Sequence, residues 1–430
     1  MEGMLRNGIF LKSESGNTYK VVRMLGAGGQ GEVYEVDLNG KRQALKWYFE
    51  STATLTQKSI LGNLIARGAP DDMFLWPQDM VVPSRGKQFG YIMPLRPQNY
   101  KGIVDMMKRR TEPTFKTVCR AAYNLTCGYK KLHDMGYAYR DISFGNVFFD
   151  PETGDVLICD NDNVSANEKA SVYGTPRFMA PEIIISNAMP SRNTDLFSLS
   201  VLLFYMFMIN HPLEGKAETE IKCMDLYAMT KLYGTNPVFI FDPENKNNRP
   251  VKGYHDNALI YWSIYPMKIR ELFTSSFTIG LSTPGRRITE TQWADAFINL
   301  IFGIMYCSCG AEVFYDDDII KSEADISCWN CHKTIKIPPS IVIGKSRVLL
   351  MEGVNLYEHH IKGTYDISKV MGKVVQNPNN SNLWGIRNEG MENWTYIKTD
   401  GTNIPVPPGK TAAIANNAKI NFGQQTGMFE

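Results

Sequence analysis

The stretch that most constrains this chain runs from Tyr139 to Asp162, YRDISFGNVFFDPETGDVLICDND. Asp141 and Asn146 stand five positions apart on what reads as a loop. Two short apolar runs follow, Asn146 to Phe149 and Val156 to Cys159, and their pairing as a hairpin would carry Asp160 back to the same place. Two carboxylates and one amide are thereby gathered around a single cavity. Phosphoryl transfer needs this grouping: one carboxylate orients the attacking hydroxyl, while an amide and a second carboxylate hold magnesium on a triphosphate.

Upstream, Leu25 to Tyr34 reads LGAGGQGEVY, between the β-prone runs Tyr19 to Leu25 and Glu32 to Leu38. Gly26, Ala27, Gly28 and Gly31 fit a GxGxxG spacing, which lets a hairpin backbone lie close over phosphates without interference from Cβ atoms. Alone, this spacing suits an ordinary glycine-rich hairpin equally well. Ala44-Leu45-Lys46 in the next strand and the central stretch change the balance, and together the three resemble the eukaryotic-type protein kinases. In that family the central motif commonly opens His-Arg-Asp and closes Asp-Phe-Gly. Here it opens Tyr139-Arg140-Asp141 and closes Asp160-Asn161-Asp162.

The resemblance implies a role for each matching position. Lys46 would hold the α- and β-phosphates of ATP, and Val33 and Ala44 would cap the adenine. Asp141 would be the base or orienting group, with Asn146 and Asp160 as magnesium ligands. Ser143 stands where a lysine commonly contacts the γ-phosphate, and its hydroxyl can hydrogen-bond there but brings no charge. In Gly90 to Leu95, Met93 would guard the back of the adenine pocket, and Pro94 would offer its carbonyl and Arg96 its N–H. A proline-rich loop without a ligand accounts for that stretch equally well. One departure stands out, because the family pairs its lysine with an acid in the next helix and Ser51 to Pro70 contains none. Ile60, Leu61, Leu64 and Ile65 still form a helical stripe, from which Asn63, or else Gln57, is best spaced to reach Lys46.

Phe115 to Met135 reads as a long amphipathic helix ending at Gly136. Gly174-Thr175-Pro176 and Ala180-Pro181-Glu182 resemble the end of a kinase activation segment, in which Thr175 would contact Asp141 and Glu182 would pair with Arg287. Asp195 matches the aspartate that ties down the catalytic loop. Arg140 resembles the arginine of kinases ordered by a phosphorylated segment; Ser165, Ser171 and Tyr173 are the nearby hydroxyls, and plain solvated serines fit as well.

At 430 residues the chain is too long for one core. A net charge of +2 gives no reason to expect nucleic acid or an anionic membrane as partner. No apolar run reaches the ~20 residues of a membrane helix, so a cytoplasmic protein is expected. Cys307, Cys309, Cys328 and Cys331 form two knuckles, the ligand set of a structural zinc ribbon. Beyond Ile337-Pro338-Pro339, β-prone runs at Ser346 to Met351, Lys373 to Gln376, Trp394 to Lys398 and Lys419 to Phe422 predict an all-β sandwich. Gly372-Lys373, Leu383 to Asn388 and Asp400-Gly401-Thr402 resemble a forkhead-associated domain, with Lys373 where the family has an arginine. His359 and His360 read as ordinary polar residues.

The expected architecture is α+β: a kinase N-lobe at 15–96, a C-lobe at 97–302, a zinc ribbon at 303–337 and the sandwich at 341–430. That order resembles bacterial serine/threonine kinases of tellurite-resistance-associated stress systems, which implies a protein substrate and, as partners, a von Willebrand A-type protein and a protein phosphatase. The expected activity is ATP- and magnesium-dependent phosphorylation of serine or threonine. A nucleotide-binding pseudokinase scaffold is the rival reading.

Overall fold

The structure, a computed structural model, describes residues 3–83, 86–166, 173–321 and 325–430, without the side chains of residues 320 and 321. Ser171 lies outside the described residues. The chain divides into two compact units, Met1–Trp262 with Glu271–Trp293, and Ser263–Arg270 with Ala294–Glu430.

The first unit opens with an antiparallel sheet of β1 (Phe10–Lys12), β2 (Thr18–Ala27), β3 (Gly31–Leu38), β4 (Lys41–Tyr48), β5 (Asp79–Val81) and β6 (Gly90–Pro94), in the order β1-β2-β3-β4-β6-β5. Side chains alternate faces along a strand, and β4 uses both. Leu45 and Trp47 pack with Tyr19, Val21, Tyr34 and Ile92 on one side. Ala44 and Tyr48 pack with Tyr91, Met93 and Leu61 on the other. Lys46 lies between Ala44 and Tyr48 in this alternation and shares their face. Leu61 belongs to α1 (Leu55–Arg67), which starts where Thr54 caps the Gln57 N–H at 3.1 Å and stops at Gly68 with φ 76°. Gly31 is required for a steric reason, since a Cβ there would come 2.1 Å from the carbonyl oxygen of Trp47.

The rest of this unit is mainly helical. Helix Phe115–Asp134 buries one face and is capped by Thr114, while helix Arg192–Met208 is apolar nearly all round and buried nearly all round. Between them in sequence, Val147–Phe149 and Val156–Ile158 pair as a hairpin, joined by Lys101–Gly102 as a third strand. The Cys159 N–H donates to the Asn146 carbonyl at 2.9 Å, so the hairpin sets Asp160 beside Asn146.

In the second unit, Ile304–Tyr306 and Glu312–Phe314 form a hairpin. Met305, Val313, Ile326 and Ile335 surround Cys307 and Cys328, with Leu349 and the partly buried Met351 from further along the chain joining this small core. Residues 340–430 fold as two antiparallel sheets. One takes Ser346–Leu349, Ser340–Ile343, Thr426–Phe429, Lys419–Asn421, Trp394–Ile397 and Asn403–Val406 in that order, and the other takes Asn355–Tyr357, Val370–Asn377, Asn380–Asn388 and Thr411–Ala413. Their core holds Leu356, Val374, Ile386, Trp394, Ile420 and Phe422. His359 and His360 lie buried in the short helix Glu358–Lys362, where His360 Nδ1 accepts the Tyr357 N–H at 2.9 Å.

Residues 263–270 and 294–302 group with the second unit. Three contacts tie them there. Tyr265 packs its ring on Phe314 at 5.1 Å, the Met267 N–H donates to Asp316 at 3.0 Å, and Phe302 packs edge-on against His360 at 4.4 Å.

Candidate functional site

A cavity of about 840 Å³ is lined by Gly26, Ala27, Gly28, Gly31 and Val33 of the β2–β3 hairpin and by Ala44 and Lys46 of β4. Met93, Pro94 and Arg96 form a further wall, and Asp141, Asn146 and Asp160 another. Its size suits a small-molecule ligand. A Cβ at Gly26, Gly28 or Gly29 would meet no protein atom within 4 Å, so no packing against the chain demands glycine there. Glycine leaves open space at these positions on the hairpin that lines the cavity.

Around Asp141 the hydrogen bonds are specific. Thr175 Oγ1 donates to Asp141 Oδ1 at 2.8 Å, and Asn146 Nδ2 donates to the Asp141 carbonyl at 2.9 Å and to Oδ2 at 3.2 Å. Burial raises the Asp141 carboxyl above its ordinary value, against the lowering effect of these hydrogen bonds. The backbone that carries it is anchored from below, since Asp195 accepts the Tyr139 N–H at 2.5 Å and the Arg140 N–H at 2.9 Å. Tyr139 donates its hydroxyl to the Cys159 carbonyl, linking the loop to the residue before Asp160. Arg287 clasps Glu182 through two hydrogen bonds of 2.7 and 2.8 Å. Ser165 pairs its backbone with Ala138, and Tyr173 is exposed. Ser143 is buried, and the wall beside it is made by Asp141, Gly145 and Asn146.

Lys46 is where sequence spacing misleads. Asn63 is exposed on α1 and does not reach it, and Gln57 turns to the Asp162 carbonyl at 2.8 Å and the Tyr48 hydroxyl at 3.3 Å instead. The buried ammonium sits 2.8 Å from Asp162 Oδ2, 3.4 Å from Asp160 Oδ1 and 3.1 Å from Gln30 Oε1. Burial alone would lower its pKa, but Asp162 and Asp160 outweigh it and the group is raised, hence charged. Gln30 also donates to Asn163 at 3.2 Å, tying the tip of the glycine hairpin to the turn after Asp160. Asp162, Gln30 and Tyr48 were missed by motif reading. The available signal was a pair of complementary departures, an acid absent from α1 and an acid present at Asp162.

Asn146 and Asp160 offer oxygen donors of the kind that suits magnesium. Asp160 adopts a left-handed backbone, φ 50° and ψ 45°, and its side chain is 44% exposed. In the second unit the four cysteine sulfurs lie within 4.8 Å of one another, with Cys307 to Cys331 at 3.5 Å and Cys309 to Cys328 at 3.7 Å. Tetrahedral zinc with bonds of about 2.3 Å requires sulfur–sulfur edges of about 3.8 Å, so this donor set fits it.

Residues 89–296 match the protein kinase domain family. The match begins after the glycine hairpin and Lys46. Relatives include Protein kinase C-like 1 of Candida albicans, 34% identical over 104 residues, which are 23% of this chain and 9% of that protein. Another is the probable serine/threonine-protein kinase CCRP1 of Zea mays, 25% identical over 209 residues, 46% of this chain and 32% of that protein. Serine/threonine-protein kinase plk-2 of Caenorhabditis elegans is 27% identical over 127 residues, 28% of this chain and 19% of that protein. The chain thus spans a third or less of these relatives' own lengths. Residues 89–296 are thus similar to the protein kinase domain, and two of the relatives carry the name serine/threonine-protein kinase.

Proposed function

We propose that this chain is a protein serine/threonine kinase that uses ATP and magnesium. The observation that carries the reading is the grouping of Asp141, Asn146 and Asp160 on the wall of one cavity, with Lys46 and the glycine hairpin on the other walls. Lys46 supplies fixed positive charge for phosphate oxygens, and Met93, Pro94 and Arg96 line the part of the cavity suited to adenine. Asp141 is poised to accept the proton of a substrate hydroxyl. Thr175 and Asn146 hold its two oxygens in place, so little reorganisation is needed when the hydroxyl arrives. Asn146 and Asp160 are the residues that would hold magnesium, which when bound neutralises charge on the phosphates.

A second reading, a scaffold that binds nucleotide without turnover, is favoured by one observation. The position two after Asp141 is an uncharged, buried serine, so the cation that commonly steadies the transferred phosphate is absent from that position. Purified protein incubated with γ-labelled ATP and magnesium, alone and with a generic basic protein, separates the two. Label on serine or threonine supports the kinase; tight ATP binding with no label in any protein supports the scaffold.

The finer assignments rest on architecture. We assign residues 303–337 as a zinc ribbon and 341–430 as a forkhead-associated-like sandwich. By the resemblance in its order of domains, we place the chain in a cytoplasmic bacterial stress system with a von Willebrand A-type protein and a phosphatase as partners. Co-purification of those two partners with tagged full-length protein is the test.

A further inference from the structure

Helix α1 contributes no carboxylate to the nucleotide site, yet Lys46 is buried and charged. Its nearest acid comes from the turn that also carries Asp160. Asp162 is fully buried, lies 2.8 Å from the ammonium and does not line the cavity, whereas Asp160 is 3.4 Å away, half-exposed and on the cavity wall. Asp160 caps the 3-10 turn Asn161–Asn163 and Asp162 lies within it, so the two carboxylates are directed to different places.

The surroundings of Asp162 are built to keep it there. Tyr48 lies two residues after Lys46 on β4, hence on the same face, and donates its hydroxyl to the oxygen of Asp162 that pairs with the lysine. The ammonium also lies 5.6 Å from the centre of the Tyr48 ring. Gln57, the buried polar residue of α1, donates to the Asp162 backbone carbonyl and to the Tyr48 hydroxyl. The helix therefore braces the turn and leaves the charge pairing to it.

We infer that Asp162 is the positioning residue for Lys46, so that the lysine is held by the metal-binding turn itself and not by a carboxylate from α1. This rests on the proposed nucleotide-binding role of the cavity. Its consequence is that Lys46 and Asp160 are set by one short segment, and a shift of α1 would not by itself unpair the lysine. Removing one member of a buried ion pair leaves the other uncompensated, so the effect on Lys46 should be large.

The test is ATP affinity by calorimetry for wild type, Asp162→Asn, Lys46→Met and the double variant, each with and without magnesium. Asp162→Asn should weaken ATP binding on the order of tenfold, equally with and without magnesium. In the Lys46→Met background the same change should shift affinity less than about twofold, because the group it acts through is gone. Exposed Asn63→Glu on α1 should leave affinity unchanged and should not rescue Asp162→Asn. A loss seen only with magnesium would make Asp162 a metal ligand instead. Equal losses in both backgrounds would mean it acts without Lys46, and either result overturns the inference. Should Asp162→Asn fail to fold, Tyr48→Phe removes the hydroxyl that holds the carboxylate while keeping the ring. It should weaken ATP binding about threefold, and only when Lys46 is present; unchanged affinity counts against the inference. The readout is binding and not turnover, so the inference stands or falls even in a chain that binds ATP without transferring phosphate. Wild type that binds no ATP, in contrast, brings down the proposed function as well.

Discussion

The cavity around Asp141 draws its walls from segments spread between Arg23 and Asn163, whereas the four thiols come from two turns between Cys307 and Cys331. The first site converges from strands and loops far apart in the chain and remains open on one side. The second is local and, as a zinc site, would be closed, because four thiolates complete a tetrahedron and leave no position for water. An open site needs a large scaffold to hold its donors without a ligand; a closed one can lend its metal's binding energy to a scaffold too small to stand alone. The cysteine core fits the second description, since Leu349 and Met351, from beyond residue 337, help to complete it.

The largest expected effect tests the closed half of this contrast. Untreated protein should contain about one zinc per chain, and Cys309→Ser or Cys328→Ser should lower that sharply. Structural zinc contributes ~10 kcal/mol or more, so residues 304–336 should lose protection in hydrogen exchange. Phosphotransfer to a generic substrate should persist, since no cysteine of the cluster lines the cavity. Activity falling in proportion to zinc, with the first unit still protected, would break the comparison by giving the cysteine site a part in catalysis.

The open half is tested next. Asp141→Asn should reduce turnover about 10³-fold, as loss of a general base does, with ATP affinity nearly intact. Asp160→Asn should leave turnover measurable at saturating ATP but weaken binding on the order of tenfold or more, and only in the presence of magnesium. Calorimetry with and without the metal distinguishes the two. If both variants fall equally in both measurements, the division of labour between the carboxylates fails.

How far such sites can be read in advance depends on whether the informative residues share an element. Strands such as Trp394–Ile397 and Lys419–Asn421 show as alternating β-prone runs bounded by turns, and the cysteine knuckles show as short spacings. The hairpin that brings Asp160 beside Asn146 is likewise visible, because its runs are adjacent in sequence. Asp162 as partner of Lys46 is not, since spacing along α1 directs attention to Asn63 and nothing local says that the turn after Asp160 folds back onto β4. Short strands such as Asn355–Tyr357 and Thr411–Ala413 also escape, as three residues carry too little pattern. The grouping of residues 294–302 with the second unit depends on side chains, including Phe302, whose partners lie downstream.

The smallest expected effect contrasts the two units by pH. His133 is buried between Asp195, 3.1 Å from Nε2, and Glu290 at Nδ1, with Arg192 on the far oxygen of Glu290 at 2.9 Å. Burial lowers the imidazole's pKa, but the hydrogen bonds and charges of Asp195 and Glu290 outweigh it and raise the group to about 9. A folded-state value above the unfolded one gives stability that is fully present below pH ~6.5 and is lost as pH rises through about 9. The most this can contribute is about 3 kcal/mol. Glu290, lowered to about 2, works in the opposite direction and gives way only as pH falls below its ordinary carboxylate value. Zinc thiolates, in contrast, are displaced by protons, so the cysteine cluster should fail first on the acid side. Thermal melts from pH 6.5 to 9.5 should show the kinase unit losing stability, and His133→Gln should flatten that slope while leaving zinc content unchanged. An equally steep slope in the variant would mean that His133 is not the titrating group, and that the anchoring of the catalytic loop through Asp195 does not depend on its charge.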